Sequence, residues 1–89
     1  MMHTHNLNNF RLRHDGKEFV VYAKVNYTVE KDDGGDEAVF ESAVVEEAVG
    51  FSGIIRDRKF LDTLELPLLS VLNNDVHMAR SVALKAKKA

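Results

Sequence analysis

From Glu18 to Glu30 the chain reads EFVVYAKVNYTVE, with Phe19, Val21, Ala23, Val25, Tyr27 and Val29 at every second position. Glu18, Lys24, Asn26, Thr28 and Glu30 lie between them, and Val20 and Tyr22 are the exceptions. Successive side chains of a strand point to opposite faces, so this period calls for one face on a core and the other largely in water. Such a strand anchors an antiparallel sheet, in which one face is commonly solvated.

The segment before it supports a hairpin. Phe10 and Leu12 alternate with Arg11 and Arg13, and Asp15-Gly16 follows, a pair suited to a two-residue turn with positive φ at both positions. Pairing His14 with Lys17 sets Leu12 opposite Phe19, Phe10 opposite Val21 and Arg13 opposite Glu18. Turn chemistry and side-chain pattern therefore agree on one register.

A second turn falls in Lys31-Asp-Asp-Gly-Gly-Asp36. Centred on Gly34-Gly35, it sets a third strand over about Glu37 to Val49, with Phe40 opposite Val29, Val44 opposite Val25 and Ala48 opposite Val21. Ala and Glu also suit a helix there, but continuity with the hairpin loop favours the strand. The register leaves Ser42 and Glu46 facing the core, and a bulge near Val44-Val45 would flip the alternation and relieve Glu46.

Beyond Gly50 and Gly53, Ile54 and Ile55 read as a short fourth strand or a helix entry. Asp57 suits a helix cap before Phe60, Leu61 and Leu64. Pro67, lacking an amide hydrogen, must interrupt that helix or start a new turn. Leu68, Leu69, Val71 and Leu72 form an apolar knot, and Asn73-Asn74-Asp75 marks a break and a second cap. Val76, Ala79, Val82, Ala83 and Ala86 then recur at helical spacing. The expected fold is α+β: an antiparallel meander of three or four strands followed by two or three C-terminal helices. These should pack on the face carrying Phe19, Val21, Val25, Tyr27 and Val29.

With 89 residues the chain has room for one core. Residues 1–9, polar and Asn-rich, read as a flexible N-terminal arm, and residues 10–89 as a single small α+β domain. The absence of cysteine rules out disulfides and thiolate zinc sites, and favours a second copy as a source of stability. Twelve Lys and Arg against fourteen Asp and Glu argue against general attraction to phosphate. No apolar run approaches the ~20 residues a spanning helix needs, and the start of the chain lacks signal-peptide features. A cytoplasmic location without membrane contact is the resulting expectation.

Chemistry-bearing motifs are sparse. A free amine, two backbone amides and His3 could chelate copper or nickel in vitro, but no pair among His3, His5, His14 and His77 has the geometry of a metal motif, and chance placement of His3 in the arm is the favoured reading. Asp32, Asp33 and Asp36 lack the ladder of a calcium loop, Glu46 and Glu47 diverge on a strand, and no serine has a nucleophile-elbow context. No catalytic residue, metal site or cofactor is expected. The uncommitted apolar residues of the second sheet face are the informative ones. Val20, Tyr22, Val39, Val45 and Val49, with Ala43, fall there and suggest a protein interface, either to a partner or within a homodimer. The alternative is nucleic-acid binding through Arg11, Arg13, Lys17 and Lys24, with Tyr22 as a stacking surface.

Overall fold

Asp15 and Gly16 adopt φ of 52° and 74°, so the first turn has the positive-φ geometry that Asp-Gly supplies. It joins β1 (His3–His14) to β2 (Lys17–Asp32) in the expected register, including Leu12 with Phe19, Phe10 with Val21 and Arg13 with Glu18. In this computed structural model, which describes residues 1–33 and 35–88, β3 (Gly35–Gly50) and β4 (Gly53–Ile55) complete a sheet of order β1-β2-β3-β4. Helices α1 (Arg58–Thr63), α2 (Glu65–Asn73) and α3 (Val76–Lys88) follow, giving the α+β meander with C-terminal helices.

Two expectations are corrected here. The arm over residues 1–9 is strand from His3 onward, because His3, His5 and Leu7 pair with Tyr27, Val25 and Ala23. His3 stacks on the Tyr27 ring at 5.2 Å, and Leu7 is buried, so the segment has a core contact that its polar composition concealed. The second correction is the β2–β3 register. Asp32 pairs with Gly35 and Val29 with Ala38, two residues from the expected alignment; Gly34 itself lies outside the described residues. Bulges then intervene at Glu41, between Tyr27–Phe40 and Asn26–Ser42, and at Glu46, between Ala23–Val45 and Tyr22–Glu47. Each bulge adds a residue to β3 and inverts its alternation. The core face is therefore carried by Ala38 and Phe40, then by Ala43 and Val45, then by Ala48. By Val21–Ala48 the two insertions have restored the expected pairing.

The helices cover this face alone. Asp57 caps α1 by accepting from the Phe60 amide at 3.3 Å, and Asp75 caps α3 by accepting from the Met78 amide at 3.1 Å. Pro67 lies in the first turn of α2, where its missing donor is tolerated, and the break between α1 and α2 falls at Leu64. Leu61, Leu64, Leu68 and Leu72 form one stripe across both helices, each no more than 1% exposed. Burying each contributes about 1.5–3 kcal/mol relative to leaving it exposed. Ala79 and Val82 of α3 complete the core cluster.

The outer edge of β3, beyond its pairing with β4, is met by side chains. Asn73 Oδ1 accepts from the Phe40 amide at 2.9 Å, and Asn73 Nδ2 donates to the Phe40 carbonyl at 3.0 Å. Arg58 Nη2 donates to the Val45 carbonyl at 2.6 Å while its Nε reaches Asp62 Oδ1 at 2.8 Å. Lys87 Nζ lies 2.6 Å from the nearly buried Asp36 carboxylate, tying the end of α3 to the start of β3.

Candidate functional site

Because all three helices pack on one side, the opposite side of the sheet is open. Register places Arg11, Val20, Val49 and Ile54 in one row across it. Val20 and Val49 are half-buried, and Ile54 is 61% exposed. Val44, 49% exposed, lies further along β3 beside Lys24 of β2. Apolar surface is thus concentrated near the middle strands, in a face with polar residues around it.

The polar part is well organised. Thr4 Oγ1 donates to Asn26 Oδ1 at 2.9 Å, and Asn26 Nδ2 donates to Ser42 Oγ at 3.1 Å, linking three strands. Thr28 Oγ1 donates to Glu41 at 3.3 Å, and Arg56 Nε donates to Glu47 at 3.0 Å. The Tyr22 hydroxyl donates to Asn9 Oδ1 at 2.5 Å. Asn9, φ 57°, is part of the bulge of β1 opposite Tyr22, and a short polar side chain tolerates that left-handed conformation. Charge is unevenly spread across the face: β1 contributes Arg11 and Arg13, whereas β3 contributes Glu41 and Glu47.

Of the residues expected at a protein interface, Val20, Tyr22, Val39 and Val49 lie on this open face and are half-buried. Val45 does not. It pairs with Ala23, is fully buried under the helices, and shares the core face with Ala43, because the Glu41 bulge inverts the alternation before both. The contributions of Val44 and Ile54 were hidden for related reasons, since Val44 sits between the two bulges and Ile54 is placed by pairing of β4. Of the basic residues, Arg11, Arg13 and Lys24 are exposed on the open face. Lys17 shares the parity of Phe19 and lies on the other side, so it does not extend that stripe.

Lys17 instead borders a cleft of about 660 Å³ between the sheet and α1, lined by Phe19, Gly50, Ile55 and Phe60, with the fully exposed Phe51 at its mouth. A Cβ on Gly50 would approach the Phe19 ring to 3.1 Å, and that ring packs against Phe60 at 5.4 Å. The cleft is predominantly apolar, with Lys17, Glu18 and Ser52 as its polar side chains.

His5 and Glu65 have displaced proton affinities. Burial, with a smaller push from Lys85, holds His5 below its ordinary value of 6.5. Burial first and Asp62 second raise Glu65 above 4.5, with Arg58 pulling the other way. Neither belongs to a catalytic constellation. Among the described residues, no group of three or more His, Asp or Glu is placed to hold a metal ion. No helix among them is long and apolar enough to cross a membrane. Comparison with family models, curated proteins and solved structures returned no match.

Proposed function

We propose that the protein is a non-catalytic protein-interaction module, and that the open sheet face is its docking surface. The observation that carries this reading is the one-sided helix layer, which leaves the Val20–Val49–Ile54 row and Val44 outside the core. An apolar centre with a charged rim is the composition of a non-obligate protein interface. A phosphate-binding face is less well supported, because Glu18, Glu41 and Glu47 share the surface with Arg11, Arg13 and Lys24.

Affinity capture from the native host tests the reading with three baits: wild type, the double variant Val20→Asp/Val44→Asp, and Leu66→Asp on the exposed side of α2. Wild type and Leu66→Asp are expected to retain the same defined protein in stoichiometric amount, and the double variant to lose it while keeping its circular-dichroism spectrum. Retention by all three baits would overturn the docking face. Recovery of nucleic acid that falls with salt, and disappears in Arg11→Gln/Arg13→Gln/Lys24→Gln, would replace it with the nucleic-acid reading.

A further inference from the structure

We propose that the cleft between the sheet and α1 is a small-molecule site, separate from the open face, and that its ligand is an amphipathic monocarboxylate: an apolar chain or ring bearing one carboxylate. The start of β2, the β3–β4 turn and α1 form its walls. At about 660 Å³ it falls within the size range of small-molecule sites.

Gly50 makes the space. A Cβ there would stand 3.1 Å from the Phe19 ring and 3.5 Å from Ile55 Cδ1, so any other residue would put a side chain into the gap between them. The side chains of Phe19, Ile55 and Phe60 carry no hydrogen-bonding group. A sugar's hydroxyls or a peptide's amides buried against them would lose water without finding a partner, which selects an apolar body for the ligand. Phe51 and Ser52 form the turn between the paired Gly50 and Gly53. Such turn positions favour Gly, Asn, Asp and Ser, yet Phe51 is fully exposed and the fold gains no packing from its ring. At the mouth of the cleft, that ring gains a contact when an apolar ligand is seated.

Charge selects the head of the ligand. Lys17 borders the cleft, and among the described residues no carboxylate forms an ion pair with it. Its cross-strand neighbour is His14, whereas the adjacent Glu18 stands opposite Arg13. One uncommitted cation beside an apolar cleft complements one anionic group on an apolar body. The nearby Glu18 disfavours a second negative charge, so a carboxylate fits better than a phosphate dianion.

Titration of the whole chain with octanoate, followed by NMR, tests the assignment, with hexanoate, octan-1-ol and octylamine as comparison probes. Octanoate should shift the Gly50, Ile55 and Phe60 resonances saturably, with a Kd on the order of 1 mM, as suits a small ligand in an open cleft. Hexanoate should bind more weakly, by up to about fourfold per methylene removed. Lys17→Gln should weaken octanoate about two- to fivefold and leave octan-1-ol unchanged, because an exposed charge pair contributes modestly. Phe51→Ser should weaken both ligands. Both substituted residues are exposed, and circular dichroism establishes that each variant is folded. Absence of saturable shifts at Gly50, Ile55 and Phe60 overturns the site, as do shifts centred on Val20 and Val44 instead. Octylamine binding as tightly as octanoate, or octanoate affinity unchanged in Lys17→Gln, overturns the carboxylate assignment. None of these outcomes depends on the open face, whose own test is the capture of a protein partner.

Discussion

Asn73 acts as a one-residue substitute for a neighbouring strand. Its amide meets both the N–H and the C=O of Phe40, so one side chain satisfies two edge groups of β3. Removing it leaves both groups short of a partner, and Asn73→Ala should cost about 1–3 kcal/mol. Asn73→Asp keeps an acceptor for the Phe40 amide but has no donor for its carbonyl, so a comparable loss is expected. Denaturant midpoints of both variants measure this, and unchanged midpoints would show that water serves Phe40 equally well. His5 gives a second residue-scale prediction. Its folded-state value is lowered, so its contribution is fully present above 6.5 and is lost as pH falls through the folded value. Glu65, raised above 4.5, has the opposite slope: its contribution is present below 4.5 and fades as pH rises through its folded value. The difference between wild type and His5→Gln isolates the histidine. The variant should lose less stability than wild type on acidification below 6.5, and parallel curves would refute the assignment.

At the scale of elements, the hairpins and bulges decide which residues share a face. Gly16 sits at φ 74° with open space around it, so Gly16→Val should destabilise through backbone conformation alone, by roughly 1–3 kcal/mol. Gly50 tests a different mechanism. Its φ is unexceptional, but a side chain there meets Phe19 at 3.1 Å. Gly50→Val should therefore displace the Phe19 ring from Phe60, lowering the denaturant midpoint and changing the ring resonances of both phenylalanines, whereas Gly16→Val should leave those resonances in place. The first hairpin was legible residue by residue, since Asp15-Gly16 and the flanking alternation define one register. The β2–β3 ladder was legible only at the end far from its turn, at Val21–Ala48. Ser42 and Glu46 signalled a conflict, but a single inserted residue could not resolve both. The observed bulges flank Ala43–Val45 and turn Ser42 toward Asn26 on the open face.

The whole molecule is a long sheet with one helix layer and managed edges. β1 is interrupted by the Asn9 bulge and carries exposed Arg11 and Arg13, features that discourage uncontrolled strand addition. β3 is met by β4, Arg58 and Asn73. The sheet face opposite the helices is left uncovered. Its mixed charges also bear on nucleic acid. Titration of a labelled duplex and a labelled single strand near physiological salt is expected to show no submicromolar binding. Arg11→Gln/Arg13→Gln/Lys24→Gln should shift the unfolding midpoint little, because isolated exposed charges each contribute only about 0–1 kcal/mol. Tight binding abolished by that variant would contradict the protein-docking assignment.

The meander, the first turn, the helix caps at Asp57 and Asp75, and the core stripe of β2 were readable from the chain alone. All of these follow from local rules: a period of two, positive φ at Asp-Gly, or a carboxylate accepting from a helix amide. Packing between remote segments set which β3 residues lie inward, why His3 to Leu7 are strand, and which sheet face stays open. A bulge changes no composition, yet it exchanges the two sides of every residue beyond it, which is how Val45 enters the core and Val44 leaves it. Likewise, the polar start of β1 is ordered by partners more than fifteen residues away, the Tyr27 ring and the Ala23 backbone, and no local pattern encodes them. The open face exists because three helices share one layer, a matter of packing between segments remote in the chain.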